Sequence, residues 1–277
     1  MSTHNILSLD TWFSVGARRR PRGVYEWIFT PFAVAIGVWV ITAATAIIIS
    51  PWTLCVIFFS GISALAFLTT GPFQDSSVDK PSILDIALSL VSILTGVYFA
   101  LNAPIIINRI VLLDELTQLD IIFGTLVLLL TLEITRRTTG LGLTSIVVLF
   151  ILYNLFGHNL SGVLQHGEID YLHFLEITIF TTDGVLGLPV RVAATYAFMF
   201  VMFGTVLHAC GGGDFFFNFA AAISGRSPGG PAKVAVISSG MYGMLSGSPT
   251  SDVVTTGSIT IPIMKRLGYR GAHAGAI

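Results

Sequence analysis

The sequence predicts an all-α integral membrane protein of about six transmembrane helices plus one re-entrant helical hairpin, and three observations carry this. The 277 residues are 53% hydrophobic and only 10% charged, against about 25% charged in an average soluble domain. Several apolar runs reach the roughly 20 residues that a helix needs to cross a hydrocarbon core about 30 Å thick. Two shorter apolar runs, Val234 to Leu245 and Val253 to Met264, flank the polar segment SGSPTSD at 246–252.

Residues 1–27 read as a polar N-terminal segment whose basic cluster, Arg18 to Arg22, stands just before the first apolar run. The positive-inside rule places this end in the cytoplasm. Because that first run is of full spanning length, it predicts a retained anchor rather than a cleavable signal. The first span is Ile28 to Ile49, and Ser50-Pro51 interrupts it where a helix must end or kink. Trp52 to Thr70 returns, and Gly71 to Ser82 has turn composition. Ile83 to Asn102 and Thr117 to Thr135 make the third and fourth spans, the last ending in Glu133, Arg136 and Arg137. Four crossings bring the chain back to the cytoplasm, where the arginine pair belongs, so 28–137 reads as a four-helix membrane module.

A second module is expected over 141–277. Leu141 to Gly157 leads outward, and Ile169 to Phe180 repeats apolar residues at helical spacing beside Asp170, His173 and Glu176, which predicts an interfacial helix on the outer side. Pro189 to Cys210 returns. The glycine- and proline-broken stretch 211–233 then reads as a cytoplasmic connection into a hairpin over 233–265, whose basic residues Lys233, Lys265, Arg266 and Arg270 favour entry and exit on one side.

The chemistry is expected at the hairpin tip. Non-helical backbone at membrane depth needs protein or water to satisfy its polar groups, so an interrupted hairpin implies a polar site. Ser248-Pro249 is a helix-start signature. The second half-helix thus presents a positive N-terminus suited to an anion, while the carbonyls ending the first suit a cation. Ser246, Ser248, Thr250, Ser251, Thr255 and Thr256 supply hydroxyl oxygens for a hard cation such as sodium, and Gly247 and Gly257 permit close backbone approach. Asp252, costly at membrane depth, reads as a cation-bound or paired carboxylate, or else as a simple complement to the helix dipole. The candidate ion-binding set is therefore Ser246, Gly247, Ser248, Asp252, Thr255, Thr256 and Gly257, and Ser248, Thr250 and Ser251 are candidate substrate contacts.

Several features carry blander readings. Gly243 and Gly247 form a GxxxG that reads as tip flexibility, and Gly211 to Gly213 lacks any phosphate-binding pattern. Glu133 and Arg136 read as a solvated or interfacial i, i+3 pair, His208 as interfacial, Phe215 to Phe217 as an interfacial anchor, and Cys55 and Cys210 as packing residues. A net charge of -1 without a basic patch argues against nucleic acid. No enzyme motif is present, and no cofactor or metal beyond sodium is expected.

The stretch GGPAKVAVISSGMYGMLSGSPTSDVVTTGSITIPIMKRLGY resembles the first re-entrant hairpin of the large membrane subunit of tripartite ATP-independent periplasmic (TRAP) transporters, in the branch served by TAXI-type solute receptors. Val190 to Arg226, with ATYAFMFVMFGTVLHACGGGDFFFNFAAAISGR, resembles the segment preceding it. The four N-terminal spans resemble the fused small subunit in number and position. The resemblance implies an elevator-type, sodium-coupled secondary transporter in a bacterial or archaeal cytoplasmic membrane. It also implies uptake of a carboxylate, such as a C4-dicarboxylate, delivered by a periplasmic solute-binding protein. It assigns the sodium-site segment to Ser246, Gly247 and Ser248, with Thr255 to Gly257 following. Pro249 and Asp252 depart from the small residues and Asn usual there. The family's second hairpin has no counterpart after Tyr269, so a fragment is expected. A non-transporting structural or assembly subunit is the alternative.

Overall fold

The computed structural model describes residues 15–19, 24–45, 49–78, 80–246 and 249–277, with the backbone alone for 245, 246 and 249–255. Among the described residues it is helical throughout, apart from one isolated bridge between Arg18 and Thr70. It divides into two compact units, Met1–Ala194 and Thr195–Ile277. Among the described residues, six helical segments are long and apolar enough to cross a membrane: Tyr25–Ala43, Pro51–Thr69, Ile83–Leu101, Gln118–Thr139, Leu141–Asn159 and Leu188–Leu207.

In the first unit the helices are α1 (Val24–Thr45), α2 (Pro51–Thr69), α3 (Ile83–Leu101), α4 (Ala103–Asn108), α5 (Gln118–Thr139), α6 (Leu141–Phe156), α7 (Tyr171–Phe180) and α8 (Leu188–Val192). Ser50-Pro51 starts α2 rather than kinking a longer helix: the Ser50 hydroxyl accepts from the Thr53 N–H at 3.1 Å, and Pro51 fills the first turn. Helices α2 and α3 meet through small residues, with Ser63 and Ala64 of α2 and Ser92 and Thr95 of α3 buried. A Cβ on Gly96 would lie 2.2 Å from the Ser60 hydroxyl, so the two backbones approach as closely as they do only because this residue is glycine.

Two polar clusters tie the ends of this bundle, and each is built on a capping box. Ser82 and Asp85 open α3, and Thr117 and Asp120 open α5. Asp85, fully buried, also accepts from Arg19 at 2.5 Å and from Arg137 at 2.6 Å. Arg137 donates further to Glu133 at 2.7 Å and to the Thr70 carbonyl at 3.0 Å, and its guanidinium lies over the Phe67 ring. Glu133 and Arg136 pair at 2.8 Å and are about a quarter exposed, as the i, i+3 spacing indicated. At the other end Asp120 accepts from Arg109 and Tyr98, both at 2.8 Å, and from the Thr117 hydroxyl at 2.7 Å. A charge removed from water is tolerated only with such saturated partners. The clusters also set direction: the segment before α1, the end of α2, the start of α3 and the end of α5 converge at one end.

Helix α7 corrects one expectation. The Ile169–Phe180 segment is not a surface-lying helix: Leu175, Ile179 and Phe180 join Trp52, Phe99 and Val127 in the core of this unit, and Glu176 is buried, accepting the Leu112 N–H at 3.1 Å. The reason lies in its other face, where Leu172 and Ile177 stand exposed. A helix apolar on both sides lacks the strongly polar face that holds an interfacial helix at the surface. Cys55 is buried as a packing residue with its Sγ 3.7 Å from the Gly187 carbonyl, whereas Cys210 is exposed.

The second unit contains α9 (Phe198–Ala209), α10 (Gly212–Ser224), α11 (Gly230–Ser246), α12 (Pro249–Arg266) and α13 (Gly271–Ala276). The connection expected to be broken throughout instead forms α10, because only Gly211, at φ +82°, and the turn after Ser224 interrupt it. Between them DFFFNFAAAIS contains no breaker, and α10 packs on α11. The phenylalanine triplet divides. Phe215 is exposed and stacked on Phe219, while Phe217 lines a cleft of about 160 Å³ with Val234, Thr260 and Ile263.

Candidate functional site

The candidate site is the hairpin made by α11 and α12. The helices run antiparallel: Ala235 packs near Met264, and nearer the tip the Ser239 and Thr256 hydroxyls lie 2.7 Å apart. Lys233 therefore lies at the same end as Lys265 and Arg266, all three exposed. The helical segments are longer than their apolar stretches, at 17 and 18 residues, or about 26 and 27 Å. They come close to the thickness of a hydrocarbon core without exceeding it.

Helix α11 ends at Ser246 and α12 begins at Pro249, as the Ser-Pro signature predicts. Gly247 and Ser248 lie outside the described residues. Thr250, Ser251 and Asp252 occupy the first turn of α12, and Thr255 follows one turn later; for all four the backbone alone is described, as it is for Ser246. The His208 side chain likewise lies outside the described set. Thr256 is buried, and Gly257 is half-buried with only the Ile261 Cδ1 of its own helix, at 3.4 Å, near its open position.

Along α12 the candidates run from the first turn to Gly257, and Asp252 and Thr256 stand four residues apart on one face of the helix. Thr256 has a partner across the hairpin, Ser239, which the sequence reading did not single out. Its signal was available: Ser239 and Thr256 are equidistant from the Gly247-Ser248 break, so an antiparallel hairpin must bring them level. Ser238 is buried beside Ser239 and donates to the Ala235 carbonyl at 3.2 Å, and Thr260 donates to the Thr256 carbonyl at 2.9 Å. One hydroxyl pair, Ser239 and Thr256, therefore bridges the two helices below the tip. Among the described residues no group of three or more His, Cys, Asp or Glu could hold a metal ion.

Over 75 residues the chain is 35% identical to a Haemophilus influenzae protein provisionally named a TRAP transporter large permease, an alignment covering 27% of this chain and 19% of that protein. Over 78 residues it is 31% identical to the uncharacterized protein YgiK of Salmonella typhimurium, covering 28% of this chain and 18% of the relative. The matched regions therefore span about a fifth of the length of these relatives. No solved structure matches. Residues 126–277, more than half of the chain and including the whole hairpin, match the DctM component of the tripartite ATP-independent periplasmic transporters, and the chain belongs to that family.

Proposed function

We propose that this chain is the permease component of a sodium-coupled secondary transporter that takes up a carboxylate handed over by a periplasmic TAXI-type solute-binding protein. The observation that carries this reading is the pair of antiparallel half-helices α11, ending at Ser246, and α12, beginning at Pro249, bridged by the Ser239 and Thr256 hydroxyls. A broken hairpin in a multi-pass membrane protein offers a carbonyl-rich end to a cation and an N–H-rich end to an anion. Sodium would be held by oxygens of the set Ser246, Gly247, Ser248, Asp252, Thr255, Thr256 and Gly257. Ser248, Thr250 and Ser251 would meet the substrate carboxylate. The four N-terminal spans over 28–137 would form a scaffold module, with transporter from 141 onward. The protein would sit in the cytoplasmic membrane with its N-terminus in the cytoplasm.

The test is uptake of carboxylates into proteoliposomes containing the permease, with the receptor supplied outside, with and without an inward sodium gradient. Uptake that needs both the receptor and the gradient is expected. Uptake indifferent to sodium would remove the coupling ion from the proposal, and no uptake of any carboxylate would favour a structural or assembly role.

A further inference from the structure

An apolar groove of about 320 Å³ opens in the first unit between α1 and α3, bounded by Tyr25 and Pro81 at one end and by Phe32 and Ile93 at the other, with Leu68 of α2 contributing. From Pro81 to Ile93 it follows α3 for about 18 Å. That is close to the hydrocarbon depth of one leaflet, about 15 Å. Both flanking helices are candidate membrane spans.

Its Pro81 end is the end of the bundle where Arg19 and Arg137 saturate Asp85, and Arg136 and Arg137 saturate Glu133. Two cations remain. Lys80 directly precedes the groove residue Pro81, and Arg18 is held beside the end of α2 by its bridge to Thr70, two residues from Leu68. Both are exposed, and among the described residues neither has an ion-pair partner. Exposed Glu26 and Asp75 also belong to this end. Among the described residues of this end, Arg18, Arg19, Lys80, Arg136 and Arg137 outnumber Glu26, Asp75, Asp85 and Glu133 by one.

We infer that this groove holds one acyl chain of an anionic phospholipid, with the lipid phosphate met by Lys80 and Arg18. The groove's length suits this occupant, since about 18 Å along α3 is close to the depth of one leaflet. The charge at the mouth selects an anionic headgroup, because each Lys or Arg near the surface strengthens binding to acidic lipid. Tyr25 lies at headgroup level, where amphipathic rings are favoured.

The experiment is native mass spectrometry of the protein purified with equal amounts of phosphatidylglycerol and phosphatidylcholine, counting retained lipids. One phosphatidylglycerol held in preference to phosphatidylcholine is expected. Arg18→Gln with Lys80→Gln should lower that preference, by about fivefold for each cation removed. Leu90→Trp should empty the groove without disturbing the core, because Leu90 lines the groove and is more than half exposed. Equal retention of the two lipids by the unmodified protein overturns the inference. So does phosphatidylglycerol retention unchanged by Leu90→Trp, or a Leu90→Trp protein that passes from dimer to monomer while neither form retains lipid.

Discussion

Asp85 shows what a single buried carboxylate does in this protein. It closes the α3 capping box and takes two arginines, one from the N-terminal segment and one from the end of α5. Asp85→Asn leaves Arg19 buried without its anion and Arg137 with Glu133 alone, and the expected loss is about 3–5 kcal/mol. Arg136→Ala removes only a partly exposed pair, and its expected cost is under about 1 kcal/mol. Thermal unfolding in detergent compares the two, and a similar small shift for both would refute the buried-network account. At the tip, Asp252→Ala is expected to lower sodium affinity about tenfold or more while leaving insertion intact; sodium dependence equal to that of the unmodified protein would leave Asp252 only its helix-dipole role. His166, in the loop after α6, has Nε2 2.9 Å from the Tyr153 carbonyl and Nδ1 2.7 Å from the Gly167 carbonyl. Carbonyls only accept, so both contacts are hydrogen bonds only when both ring nitrogens carry protons, and the Tyr153 contact above all raises the imidazole pKa above its ordinary 6.5. A raised pKa stabilises the folded loop fully below pH 6.5, and this is lost as pH rises through the raised value. A histidine NMR titration should place His166 above 6.5, and a midpoint at or below that value would mean the loop does not hold the protonated ring.

Among the elements, the hairpin and the α2–α3 pair rest on different physics. The Ser239–Thr256 hydrogen bond joins α11 to α12 partway down the hairpin. Ser239→Ala combined with Thr256→Val should show a coupling energy of about 0.6 kcal/mol, the average for side-chain hydrogen bonds between membrane helices. Additive single effects in that cycle would mean that the helices are held by packing alone. The α2–α3 pair instead depends on close backbones, and Gly96→Leu would drive a side chain into Ser60. Its expected cost exceeds 2 kcal/mol, against almost nothing for a leucine replacing Gly142, which has open space around its Cα. The break between α11 and α12 was legible in the sequence because proline and serine act on the chain next to them, whatever surrounds them. The α10 helix and the burial of α7 were not, because glycine-rich flanks obscured the first, and the second depended on which neighbours covered its two faces.

For the whole molecule, the ion clusters agree with the charge-derived topology: Arg19, Asp85 and Arg137 meet at one end, and Tyr98, Arg109 and Asp120 at the other. Single cysteines introduced in a cysteine-free background at Lys80 and Thr138 should react with impermeant reagents from the cytoplasmic side, and one at Asp114 from the opposite side. Labelling of Lys80→Cys and Asp114→Cys from the same side would break the four-span arrangement. The span count and helix starts followed from the sequence because hydropathy over 20 residues and capping residues act locally. The membrane-protein class, the span positions and the polar break within the hairpin were determined by the sequence alone. Only the tertiary structure decided which charges are paired, since Arg19 meets a carboxylate 66 residues away and Arg137 one 52 residues away. It also decided that Ser239 stands opposite Thr256. Such pairings depend on how helices pack rather than on any residue's neighbours in the chain, because a buried charge or hydroxyl takes the nearest partner that packing leaves in reach.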